Sequence, residues 1–331
     1  MTAENAFSPT MLELNVGEEA DRIATSIRQI IFHDLRRKGA VLGLSGGVDS
    51  SVTAALLVRA VGRERVLGLL MPESDTSDES LRLSNLVAGA LGIKTLVEDI
   101  TPTLTSAGCY ARRDEAIRRL IPAYQPDWKC KIILPGILEK QVYPVFSLVV
   151  RPPAGDETKV RLTAEAYLAI VAATNFKQRT RKMMEYYHAD RLQYAVVGTP
   201  NRLEYDQGFF VKNGDGAADL KPIAHLYKSQ VYQLATYLGI PEEIRKRPPT
   251  TETYSLEQTQ EEFYFSLPLE KMDLCLFARN HGFPPEEVAP VVGLTPEQVV
   301  RVYQQIDARR HATRYLHAKP VLIENVSEVG S

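Results

Sequence analysis

A doubly wound α/β fold, with a mostly parallel sheet and helices on both faces, is predicted by three observations on this 331-residue chain. Short apolar runs alternate with helical stretches over residues 18–97. The same alternation resumes over 164–239, and the first apolar run ends in a glycine pair that opens a helix. Strand–helix alternation of this kind builds a parallel sheet with helices on both faces.

Each element has its own signal. Glu18 to Arg37 places Ile23, Ile27, Ile30, Ile31 and Leu35 at helical spacing, and Ala40 to Leu44 then reads as a buried strand. Val52 to Ala60 is helical, and Arg65 to Met71 is a second buried strand stopped by Pro72. Ser80 to Leu91 is a helix ended by Gly92, and Ile93 to Val97 is a third strand. The pattern breaks over 101–161, which reads as an insertion or lid within a single domain spanning 1–331. Inside it Asp114 to Leu120 is helical, and Val142 to Val150 pairs with Lys159 to Leu162 around the Pro152-Pro153 turn. Tyr143, Phe146 and that turn suit a packed flap that closes over a site and keeps out water better than a disordered linker. The helix Ala164 to Tyr187, the strand Tyr194 to Gly198 and the helix Ser229 to Leu238, closed by Gly239, complete the alternation.

Composition narrows the function classes. A net charge of −2, with no block of like charges, gives no sign of a nucleic-acid or membrane-surface binder. No apolar run approaches the length of a spanning helix, and no secretory or transit segment is evident, so a cytoplasmic location is expected. Cys109, Cys130 and Cys275 lie far apart without a Cys-x-x-Cys pair, which favours isolated thiols over a disulfide or zinc frame.

The segment Leu42 to Ser51 reads Leu-Gly-Leu-Ser-Gly-Gly-Val-Asp-Ser-Ser. Backbone N–H groups in such a turn, together with the helix dipole, bind phosphate. A Walker loop would carry Gly-Lys-Ser/Thr, and no such lysine is present. Asp49 instead implies a magnesium ion clamped on pyrophosphate, as when ATP is split to AMP and pyrophosphate. In full, Ser-Gly-Gly-Val-Asp-Ser resembles the pyrophosphate loop of the Rossmann-like ATP pyrophosphatases, a group that includes tRNA thiolation enzymes as well as amide-forming ligases.

A second constellation follows the strand ending at Gly198. Thr199, Glu204, the run Lys212-Asn213-Gly214-Asp215-Gly216-Ala217-Ala218-Asp219, then Leu226 to Gln230 and Pro249-Thr250, occur in one order. With Asn175-Phe176-Lys177-Gln178-Arg179-Thr180-Arg181 upstream, this ordered set resembles the ammonia-dependent NAD synthetases over roughly 20–255, outside the insertion. The resemblance implies ATP-dependent adenylation of nicotinic acid adenine dinucleotide, then displacement of AMP by ammonia, free or from a separate donor. It implies Gly43, Ser45, Gly46, Gly47, Asp49, Ser50, Ser51, Thr199, Lys228 and Thr250 as ATP contacts. Asp49 and Glu204 would be magnesium ligands, with Lys228 completing the catalytic set; Arg179, Lys212 and Asp219 would be dinucleotide contacts. A homodimer is also implied, with Ala164 to Tyr187 as the contact.

Two departures keep another carboxylate open as the acceptor. Gln260 stands where the family has Asp, and His311 is followed by Ala312 where the family has His-Lys. An ATP-dependent thiolating enzyme is the alternative of another class. It would need a catalytic cysteine or sulfur donor and a basic RNA-binding face, and neither is evident.

Overall fold

The computed structural model describes residues 6–134, 146–251, 253–265, 267–324 and 326. Helix α1 (Val16–Gln29) runs through a π-helical turn, Ile30–Asp34, into strand β1 (Ala40–Gly43). Helix α2 (Val48–Val61), strand β2 (Val66–Leu70), helix α3 (Asp78–Leu91) and strand β3 (Lys94–Val97) follow. As expected from Gly92, α3 stops where that residue enters the left-handed region at φ 64°.

Helices α4 (Thr101–Ser106) and α5 (Cys109–Arg118) open the stretch where the sequence pattern breaks. Strands β4 (Lys129–Ile133), β5 (Ser147–Arg151) and β6 (Thr158–Arg161) then form a separate antiparallel sheet in the order β4-β5-β6. The expected hairpin is β5–β6, with Leu148 opposite Val160; Val142 and Tyr143 lie outside the described residues. Lys129–Ile133 is a strand that the sequence pattern did not suggest.

The long helix α6 (Ala164–Leu192) leads to β7 (Ala195–Val196). The main sheet has the order β3-β2-β1-β7, with every pairing parallel. Strand β7 is shorter than its apolar run because Val197 leaves to bridge Leu220. Next come α7 (Arg202–Gln207), α8 (Lys228–Tyr237) and α9 (Glu242–Lys246). The chain ends in α10 (Leu269–His281), α11 (Pro285–Val292) and α12 (Pro296–His317), which bury Met272, Leu276, Val299 and Val302 in a core of their own.

Side-chain alternation explains why the main sheet is covered on both faces. Ala40, Leu42, Val66, Leu70 and Ala195 face α1, α2 and α8. Val41, Leu67, Leu69 and Val196 face α4, α5 and α6. The carboxyl ends of β1, β2 and β7 therefore open between α2 and α6, where ligands of such sheets bind.

Candidate active site

A cavity of about 430 Å³ occupies that opening. The loop after β1 forms one wall. Gly46 adopts φ 72°, and a Cβ there would lie 2.8 Å from both Leu83 Cβ and the Ser80 carbonyl oxygen, so only glycine lets the loop lie against α3. Gly47 caps α2, and Asp49 and Ser50 stand in its first turn. The hydroxyls fold the loop on itself: Ser45 Oγ and Ser50 Oγ are 3.2 Å apart, and Ser50 donates to the Gly47 carbonyl at 3.0 Å. Ser45, Gly47, Asp49 and Ser50 line the cavity, as do Gly43, Thr199 and Thr250. Gly46 and Ser51 do not; Ser51 is fully buried and donates to the Gly47 carbonyl at 2.8 Å. Both serve the shape of the turn.

Opposite the loop a small charged cluster is buried. Lys228, at the start of α8, forms an ion pair with Asp49, and only 3% of its side chain is exposed. A lysine in the first turn of a helix opposes the dipole, and Asp49 supplies the compensating charge. Asn201 caps α7: its Oδ1 accepts from the Glu204 amide at 3.1 Å, and Glu204 Oε2 accepts from the Asn201 amide at 3.1 Å. Asn201 Nδ2 also donates to Asp49 Oδ1 at 3.1 Å, which ties the two carboxylates together. Gln260 Nε2 donates to Glu204 Oε1 at 2.9 Å. Burial and the nearby Asp49 push the Glu204 carboxyl up to about 8, against the pull of Lys228. Burial alone would lower Lys228, but Asp49 and Glu204 outweigh it and hold the ammonium above its usual range. If both carboxylates ionise, one ammonium faces two negative charges, and the cluster calls for a further cation.

The cavity's long wall is α6. Arg181 Nε donates to the Met71 carbonyl at 3.4 Å, and Lys182 pairs with Glu185 at 2.5 Å. Burial pushes Glu185 up and Lys182 draws it back. Lys177 pairs with Glu73 at 2.9 Å and Asp75 at 2.6 Å, and donates to the Thr253 carbonyl at 3.0 Å. These side chains, with Asn201, are polar groups that the motif reading had named without a role or passed over. Their burial needs partners: Lys182 and Glu185 find each other one turn apart on α6, whereas Lys177 takes its partners from Glu73 and Asp75, far back in the chain.

The expected dinucleotide contacts fall in different places. Arg179 and Lys212 line a second recess of about 290 Å³, which shares Asn175, Phe210 and Val211 with the main cavity. Arg179 Nε donates to the Lys212 carbonyl at 3.3 Å, and the Lys212 ammonium lies 4.0 Å from the Tyr315 ring centroid. Asp219 lines neither recess. Its carboxylate accepts from the Val196 amide at 2.8 Å and the Tyr186 hydroxyl at 3.2 Å, a role in fixing the sheet edge. His311 and Ala312 are exposed on α12 and also line neither.

The NAD synthase family model matches residues 19–119 and 156–315, and the stretch between the two segments holds β4 and β5. An NH(3)-dependent NAD(+) synthetase of Rhizobium meliloti is 61% identical over 323 residues, covering 98% of this chain and 96% of that one. Among solved structures, an NMN synthetase from Francisella tularensis superposes with TM-score 0.62 at 21% identity, over 95% of this chain and 100% of the other. An NH3-dependent NAD synthetase from Campylobacter jejuni gives 0.61 at 21%, over 94% and 100%. At that identity the two structures speak to the fold alone. The family match takes in the phosphate loop, the Asp49–Lys228–Glu204 cluster and the α6 wall together, and the chain belongs to the NAD synthase family.

Proposed function

We propose that this chain amidates nicotinic acid adenine dinucleotide to NAD, consuming ATP and ammonia and releasing AMP and pyrophosphate. The carrying observation is the cluster in which Asp49, Glu204 and Lys228 converge beside a lysine-free phosphate loop. A substrate carboxylate oxygen attacks the α-phosphorus, and pyrophosphate leaves into the loop. Ammonia then attacks the acyl carbon, and AMP departs with the carboxylate oxygen. Loop amides and Ser45, Ser50, Thr199 and Thr250 hold the nucleotide, while Lys228 lies within reach of negative charge that develops on the phosphates.

Asp49 and Glu204 fit a magnesium ion, which commonly takes one or two protein carboxylates and fills its shell with phosphate and water. Glu204 is held up by burial and by Asp49, and a cation between the two carboxyls would favour its ionised form, which agrees with that demand. When bound, the ion neutralises phosphate charge as pyrophosphate leaves.

Arg179 and Lys212 would receive one part of the acceptor dinucleotide in the second recess, and the rest would extend into the main cavity, which shares Asn175, Phe210 and Val211 with it. Free ammonia suffices, with no donor protein. Met183 and Tyr187, one turn apart on α6, are 53% and 58% exposed, an apolar pair suited to a homodimer contact. The three free, buried cysteines suit the reducing cytoplasm in which we place the reaction.

Incubation with ATP, magnesium, ammonium and nicotinic acid adenine dinucleotide should yield NAD, AMP and pyrophosphate in equal amounts. Chromatography showing ADP and phosphate, or amidation of nicotinic acid mononucleotide in preference, would overturn the assignment.

A further inference from the structure

The antiparallel sheet contains β4 and β5, the strands that the family match passes over, and one edge of β4 is taken by β5. The other edge holds residues 255–262. Along a strand, successive backbone groups point to opposite neighbours. Cys130, Ile132 and Leu134 direct theirs away from β5. The Cys130 amide donates to Ser255 Oγ at 2.9 Å, and its carbonyl accepts from the Leu256 amide at 3.1 Å. The Ile132 carbonyl accepts from Gln258 Nε2 at 2.5 Å, and the Leu134 amide reaches the Glu262 carbonyl at 3.4 Å. Lys131 adds a charge: its ammonium pairs with Glu262 at 2.7 Å and donates to the Glu257 carbonyl at 3.3 Å.

The held segment is one arm of a tight hairpin that reaches the active site. Thr250 bridges Thr259, the Thr251 amide donates to the Gln258 carbonyl at 2.8 Å, and the Gln260 amide donates to the Pro249 carbonyl at 3.0 Å. Thr250 lines the cavity, and Gln260 donates to Glu204. The path from Lys131 to Glu204 is therefore continuous in hydrogen bonds and backbone.

We propose that β4, through Lys131, is a positioning element for the ATP site: it holds the 249–262 hairpin in place before ATP binds, so that Thr250 and Gln260 are preset. Lys131 touches no substrate and acts through the hairpin. The inference rests on the proposed ATP-dependent amidation, but its first readout does not.

The test compares Lys131→Met, which keeps the aliphatic stem, with Lys131→Arg, which keeps the charge. In the wild-type enzyme without ATP, amide hydrogen exchange over 255–262 should be protected. Lys131→Met should exchange there about tenfold faster, the factor expected for loss of one charge-assisted hydrogen bond. Peptides of α10–α12 should be unchanged. KM for ATP should rise several-fold with kcat nearly unchanged, and Lys131→Arg should restore both. Ser255→Ala, which releases the Cys130 amide, should move both readouts the same way and serves if Lys131→Met fails to fold. Unchanged exchange over 255–262 in both loosening variants, or faster exchange with wild-type KM for ATP, would overturn the positioning role. A wild-type enzyme that makes no NAD would instead remove the underlying functional reading and leave the exchange result standing.

Discussion

Asn201 and Asp49 are joined by a 3.1 Å hydrogen bond from the asparagine amide to the carboxylate, while the same asparagine caps the helix that carries Glu204. One side chain thus spaces the two carboxylates. Asn201→Ala should cost about 1 kcal/mol of stability through the lost cap. It should cost more in activity, about 10- to 100-fold in kcat/KM at fixed magnesium, as with other groups that orient metal ligands. A magnesium titration of rate, beside a denaturant melt, separates the two. Wild-type magnesium dependence in the variant would deny Asn201 this role.

Asp49→Ala should lower AMP and pyrophosphate release by at least about 10²- to 10³-fold. The fold should survive, because Glu204 remains beside Lys228 and the buried ammonium keeps a counter-charge. With Asp49 gone, Glu204 should titrate lower than at present, since burial still holds it up but the neighbouring charge is removed. Carboxyl-carbon NMR of labelled glutamate follows that shift. Near wild-type turnover would take the loop out of the reaction.

Much of this site was legible because its parts are local. Gly46, Gly47 and Asp49 act within one turn, and the spacing of that turn is visible in sequence. The alternation around Ala40–Gly43 and Val66–Leu70 likewise announces a sheet buried on both faces. What was not legible depends on contacts between distant residues. Lys228 gave a hint, being out of place at a helix start, but only the fold brings Asp49 to it. Gln260 read as a lost negative charge, whereas in place it donates to Glu204, which an ionised aspartate could not do. Asp219 sat in a glycine-rich run that suggested a ligand contact, and the sheet edge claims its carboxylate. Strand β4 does alternate, Lys129 and Lys131 with the buried Cys130 and Ile132, but four alternating residues inside an irregular stretch are too short a signal to mark a strand.

Asp273, on α10, gives the protein a pH dependence of unusual sign. Burial pushes its carboxyl up to about 6 from 3.8, although the Ser229 amide donates to it at 2.7 Å. Between those values the folded chain keeps a proton that the unfolded chain has released. Stability contributed by this group is therefore highest below about 3.8 and falls as pH rises through 6, by on the order of 2–3 kcal/mol. Asp273→Asn should flatten that part of the stability profile. Denaturant midpoints compared at pH 4.5 and 6.5 would check it, and an equal difference in wild type and variant would rule it out.

Substituting Met183→Arg in the exposed apolar pair of α6 should convert the proposed dimer to monomer, because a charge at the centre of an apolar contact is costly to bury. Light scattering measures the mass directly. An unchanged dimer would move the interface elsewhere, and a wild-type monomer would remove it.

Phe146 offers a test of whether the antiparallel sheet takes part in acceptor choice. Its ring stacks on Tyr167 with centroids 4.2 Å apart and planes at 16°, and both line the main cavity. Tyr167 stands at one end of the cavity-lining face of α6 and Glu185 at the other, about 27 Å apart over 18 residues at 1.5 Å each. Glu185 lies against Gly43, where a Cβ would come within 3.1 Å of its Oε1, so the aromatic pair is remote from the end of β1. The rest of the pair's surroundings is a core shared by the antiparallel sheet, α6 and the segment after Thr250, including Leu148, Val150, Ile170 and Tyr254. That packing makes it a fixed wall. Phe146→Ala should therefore raise KM for the acceptor by about tenfold, the cost of one aromatic contact, and leave KM for ATP unchanged. Phe146→Leu, which keeps most of the bulk, should fall between. If KM for ATP rose and the acceptor's did not, the ring would face the nucleotide; if neither moved, the antiparallel sheet would have no part in choosing the acceptor.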